Sequence, residues 1–86
     1  MAKILVVDDE PDIRSILRGI LEAQGFEVVL AEDGLVALER VRMAAPSAIL
    51  LDLKMPKLGG METLGKLKAI APQVAVIMLT AYGDIP

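Results

Sequence analysis

The sequence contains no cysteine and no histidine in 86 residues. The first absence excludes disulfides and thiolate metal sites. The second removes the commonest general base and any histidine-held zinc. Tryptophan is missing too, and Phe26 and Tyr82 are the only aromatic residues, so the core must be aliphatic. Basic residues are sparse: Lys and Arg total 9 against 12 Asp and Glu, for a net charge of −3. No basic block exists, which argues against direct nucleic-acid contact by this segment. There is also no long apolar run. The opening MAKILVV has one positive charge and a short stretch of strand character, unlike a secretory leader or a membrane span, and a cytoplasmic location is the expectation.

What is abundant is aliphatic surface to bury. Hydrophobic residues make up 55% of the chain, far too many for a disordered segment. The length allows one small domain. A chain of this size buries only about 60% of the surface its unfolded form exposes, so every element counts.

Two apolar rhythms alternate along the chain. KILVVD (3–8), FEVVLAE (26–32), SAILLD (47–52) and VAVIMLT (74–80) are short runs of strand character. The first and third lack polar alternation, as in strands covered on both faces. Between them lie helical patterns. In PDIRSILRGILEAQG (11–25), Ile13, Ile16, Leu17, Ile20 and Leu21 form one stripe, with Pro11 in the first turn and Gly25 at the C′ position. DGLVALERVRMAAP carries Leu35, Leu38, Val41 and Arg42 at helical spacing, with Pro46 as a stop. METLGKLKAIAP places Met61, Leu64, Leu67 and Ile70 on one side. The loop LKMPKLGG precedes it. Such alternation with short connections predicts parallel strands joined by right-handed crossovers.

In an open parallel sheet, ligands bind at the carboxyl ends of the strands. The first strand ends in Asp8–Asp9, the third in Asp52 and the fourth in Thr80, whereas Glu32–Asp33 closes the second, further out. Paired acids are also ordinary helix N-terminal residues, and a lone aspartate or threonine closing a strand is ordinarily a turn or cap residue. Their common end shifts the balance. If the first and third strands are neighbours, three carboxylates converge, and two unit charges 4 Å apart cost ~4 kcal/mol at an effective dielectric of ~20. A hard divalent cation such as Mg²⁺ relieves that repulsion. A carboxylate is also a nucleophile toward phosphorus, with Mg²⁺ offsetting charge on the transferred oxygens. The pair Gly59–Gly60 reads as a turn, since no G-x-G-x-x-G follows the first strand.

Three blocks, ILVVDDEPDIRSIL, AILLDLKMPKLGGME and VAVIMLTAYGD, resemble the receiver domain of two-component response regulators, in order and at suitable separations. The resemblance implies a CheY-like, flavodoxin-like α/β fold: a doubly wound parallel sheet with four strands in the order 2-1-3-4 and three helices over residues 1–86. It implies Asp52 as phosphoacceptor and Asp9 as direct Mg²⁺ ligand. Asp8 matches the acid acting through a metal-bound water, and Lys54 the residue whose backbone carbonyl completes the metal site. Thr80 matches the switch hydroxyl, and Ala81 the small residue beside it. The phosphodonor it implies is a histidine kinase or a small molecule such as acetyl phosphate. TAYGDIP further resembles NtrC-like and FixJ-like regulators, which control transcription through attached output domains.

The sequence also departs from the family pattern. A full receiver has five strands and about 120 residues; here the fourth helix, fifth strand and fifth helix are expected to be missing. No lysine follows Thr80, so the cation that pairs with the phosphoacceptor is absent, and weak Mg²⁺ binding with slow phosphorylation is expected. The fourth strand is composed as a central one but would lie at an edge, which predicts a homodimer or higher oligomer across it, or a companion fragment. The alternative function is an assembly or folding module with a vestigial acidic site. A Mg²⁺ phosphatase would need an acid two residues after the nucleophile, where this chain has Lys54. An enzyme in the usual sense is therefore not expected, beyond the self-directed phosphotransfer and dephosphorylation of receivers.

Overall fold

Runs rich in Val, Ile and Leu between turn residues become strands, and the segments with three- and four-residue apolar spacing become helices. The chain, seen as a computed structural model that describes residues 2–52 and 59–79, runs β1 (Lys3–Val7), α1 (Pro11–Ala23), β2 (Glu27–Ala31), α2 (Gly34–Ala44), β3 (Ala48–Asp52), α3 (Gly60–Ile70) and β4 (Ala75–Leu79). The strands form one parallel sheet in the order β2-β1-β3-β4.

Right-handed crossovers place the helices. The chain steps one way from β1 to β2 and the other way from β2 to β3 and on to β4, so α1 lies on one face and α2 and α3 on the other. Leu5, Val7, Ala31, Ile49 and Leu51 of the sheet pack with Ala37, Val41 and Leu67 in a single core on the α2–α3 side. Registers Leu5↔Val29, Leu5↔Ile49 and Ile49↔Val76 hold these rows together. β1 is buried on both faces from Ile4 to Val7, as its unbroken apolar run implies.

The helices differ from the sequence reading in which residues they bury. In α1 the expected stripe divides: Leu17 and Leu21 are half-buried, while Ile13, Ile16 and Ile20 stay exposed. α1 packs on β1 and β2, and no described element covers its outer side. In α2 the buried positions are Gly34, Ala37 and Val41, with Leu35 exposed. In α3 they are Gly60, Thr63 and Leu67, with Met61 and Ile70 exposed. Val41 and Leu67 are buried as expected; Gly34, Ala37, Gly60 and Thr63 join them because small side chains let the helix axis approach the sheet.

Helix ends follow local chemistry. Gly25 takes φ 93° at the end of α1, a conformation glycine adopts without a Cβ penalty. α2 stops at Ala45, φ 48°, one residue before the expected Pro46, because a proline disfavours the right-handed helical region for the residue preceding it. Asp33, buried beyond β2, caps α2 by accepting the Val36 N–H at 2.9 Å.

Candidate metal centre

Strand register brings the acids together. β1 and β3 are neighbours with Val7 opposite Leu51, so Asp8, the residue after Val7, lies beside Asp52 at the carboxyl end of the sheet. Asp8, Asp9 and Asp52 each offer a carboxylate oxygen, and these oxygens all lie within 4.8 Å of one another. Asp8 is buried, Asp52 half-buried and Asp9 exposed. The site thus grades from a rigid floor to an open mouth.

Asp8 is held at three atoms. Its N–H donates to the Ala31 carbonyl at 3.1 Å. Its Oδ1 accepts the Glu10 N–H at 2.9 Å. Its carbonyl oxygen accepts Arg14 Nη1 at 2.6 Å. The turn into α1 is therefore tied to β2 on one side and to the helix on the other. The Asp8 carboxylate secures the helix entry, an ordinary role for an acid at that position. It also belongs to the cluster.

The donor set is all carboxylate oxygen, which suits a hard divalent cation. Two oxygens on opposite sides of an Mg²⁺ ion at ~2.1 Å stand ~4.2 Å apart. A 4.8 Å span therefore closes on one ion with a small rotation of a carboxylate, or with a water between one acid and the metal. The exposure of Asp9 leaves coordination positions open to solvent or to a ligand's oxygens.

Sequence reading located Asp8, Asp9 and Asp52, and the structure brings these three together. Asp33 lies apart from them as the α2 cap. Lys54, Thr80 and Ala81 lie outside the described residues. Sequence reading missed Arg14. Its signal was its place one turn into the helix that follows the acidic pair, where a long cationic side chain reaches back to the loop carbonyls.

Comparison with known proteins agrees with this geometry. The profile of the response regulator receiver domain matches residues 4–86. Sporulation initiation phosphotransferase F of Bacillus subtilis is 40% identical over 83 residues, covering 96% of this chain and 67% of that protein. Transcriptional regulatory protein ZraR of Klebsiella oxytoca is 40% identical over 82 residues, covering 95% of this chain and 18% of that protein. Response regulator TrrA of Thermotoga maritima, in a crystal structure with Mg²⁺–BeF, superimposes with a TM-score of 0.91 at 37% identity, over 99% of this chain and 77% of that one. TrrA has also been crystallised in complex with histidine kinase ThkA. The chain thus spans from a fifth to about two thirds of these two curated relatives. With its 2-1-3-4 parallel sheet and acidic cluster at the strand ends, the chain belongs to the receiver domain family of two-component response regulators, with NtrC-like regulators among its relatives.

Proposed function

We propose that Asp52 is the phosphoacceptor of this receiver domain. The observation that supports it is the convergence of Asp8, Asp9 and Asp52 within 4.8 Å at the carboxyl edge of β1 and β3. Asp9 and Asp52 would hold Mg²⁺ directly and Asp8 through water, in keeping with the graded burial of the three, and Lys54 would add its backbone carbonyl. Bound Mg²⁺ supplies positive charge against the transferred phosphoryl oxygens. A carboxylate oxygen of Asp52 attacks phosphorus and forms an O–P bond. The donor's P–N bond to histidine, or P–O bond to acetate, breaks, and its electron pair leaves with the imidazole or carboxylate. Thr80 takes the part of the switch hydroxyl and Ala81 leaves room for the donor.

On this reading the partners are a histidine kinase or a small phosphodonor, the location is cytoplasmic, and the output is a two-state shift driven by added charge. Among the described residues no helix is long and apolar enough to cross a membrane. Its catalysis is confined to its own phosphotransfer and dephosphorylation. The test is intact mass after incubation with acetyl phosphate. Addition of one phosphoryl group, dependent on Mg²⁺ and absent in Asp52→Asn, is expected; labelling that persists in Asp52→Asn refutes the assignment.

A second reading, self-assembly, is favoured by exposed aliphatic side chains. Ile13, Ile16 and Ile20 of α1 and Ile77 of β4 are 38–57% exposed. Leu50, opposite Ile77 in register, is half-buried on the same face of the sheet. We expect a homodimer across β4 at micromolar concentration in gel filtration, reverting to monomer in Ile77→Lys. A unaltered chain that elutes as a compact monomer sinks this reading without touching the first.

A further inference from the structure

A second feature lies at the opposite edge of the sheet, where β2 is the outer strand. Its ladder to β1 uses alternate residues: Glu27 N–H donates to the Ala2 carbonyl at 3.0 Å, and the Ala31 carbonyl accepts from Asp8 N–H at 3.1 Å. In a strand the N–H and C=O of one residue point the same way and successive residues alternate. Val28 and Leu30 therefore direct theirs away from the sheet. Both are half-buried, and apolar edges of this kind are templates for another strand.

A groove follows this edge between α1 and α2. One stretch of about 420 Å³ is bordered by Arg18, Val28, Leu30, Arg40 and Met43. Its continuation, about 300 Å³, is bordered by Arg14, Leu30, Glu32, Val36 and Arg40. Leu30 and Arg40 belong to both. Three of the 9 cationic residues of a chain with net charge −3 thus line a single edge. Arg14 and Arg18 stand one turn apart on α1, and Arg40 comes from α2 on the other side. Arg40 Nε donates to the outward carbonyl of Leu30 at 3.4 Å, one of five donors on its guanidinium. Arg18 meets Glu22 at 3.2 Å in an exposed pair that holds it only weakly. Of the acids at the strand ends, Glu27 is paired with Lys3 at 3.8 Å, and Glu32 is exposed at the far end.

The geometry points to the β2 edge as a docking site for an extended acidic segment of a partner protein. The segment adds a strand beside Val28 and Leu30 and sets carboxylates against Arg18 and Arg40. Charge selects this occupant. A second copy laid edge to edge would bring the arginines of each chain against those of the other, and a basic segment meets the same repulsion. A neutral strand must displace Arg40 from Leu30 and offers the freed guanidinium no carboxylate in exchange. Asp52 takes no part, so this site stands or falls independently of the phosphoacceptor reading.

The test is an amide NMR titration of the 86-residue chain with a short capped peptide of alternating glutamate and valine. Saturable shifts confined to the β2 edge, Arg18 and Arg40 are expected. Arg18→Glu and Arg40→Glu are each expected to weaken binding about tenfold. Val28→Pro removes an outward N–H while leaving the ladder to β1 intact, and should abolish binding. The lysine–valine counterpart should give no shifts. The inference is overturned if the acidic peptide gives no saturable shifts, if its affinity survives both arginine reversals, or if the basic peptide binds equally well. Should Val28→Pro fail to fold, the arginine reversals and the peptide pair decide alone.

Discussion

Asp8→Asn is expected to raise the melting temperature of the metal-free chain by roughly 4–8 °C and to cancel most of the further rise that Mg²⁺ brings. The three acids place like charges within 4.8 Å. At that distance each pair repels by ~3.5 kcal/mol at an effective dielectric of ~20. Asp9 is exposed and Asp52 half-buried, so solvent screens most of this, and about 1 kcal/mol remains to be released. In a domain of this size that amounts to the stated shift. Asparagine is nearly isosteric; its Oδ1 still accepts the Glu10 N–H, and the Arg14 bond is to the Asp8 carbonyl, which the substitution leaves in place. Charge is therefore what changes. For the unaltered chain, Mg²⁺ at tenfold its dissociation constant contributes about 1.4 kcal/mol. Scanning calorimetry of both proteins, with and without Mg²⁺, separates the effects. A fall in the metal-free melting temperature would show that the Asp8 carboxylate is net stabilising where it sits. An undiminished Mg²⁺ increment would move the ion to other ligands.

The other large effect concerns the core. Leu5→Ala should cost about 2–5 kcal/mol in urea unfolding, whereas Ile20→Ala should cost under about 1 kcal/mol. Both remove aliphatic carbon. Leu5 is 0% exposed between Val29 and Ile49 on the α2–α3 face of the sheet, and Ile20 is 55% exposed on α1. The total available is only about 4–13 kcal/mol at ~0.05–0.15 kcal/mol per residue, so Leu5→Ala leaves a substantial unfolded fraction. Equal losses at the two positions would mean that the outer side of α1 is covered in solution, which would favour self-assembly.

Much of the fold was legible because its signals are local. The alternation of short apolar runs with helical spacing marks seven elements, and Pro11, Gly25 and Pro46 mark their limits to within a residue or two. Side-chain burial on the helices was less legible. Hydrophobicity picked Leu35, Met61 and Ile70 as inward residues, and the structure leaves these exposed; it buries Ala37 and Thr63 beside the expected Val41 and Leu67. A helix lying on a sheet rewards close approach of the backbones, which small side chains permit, and no composition rule records that distance.

The sequence by itself determined the strand–helix order, the aliphatic core of the sheet and the acids closing β1 and β3. Each depends on residue type and neighbours within a few positions. Tertiary structure decided that β1 and β3 are adjacent, which makes three acids one site, and that Arg14 ties down the turn carrying two of them. It also decided that Arg18 and Arg40, remote in sequence, flank one open strand edge. The meeting of the acids and the flanking of the edge are juxtapositions across the sheet, set by crossover handedness and register, which leave no local trace in the chain.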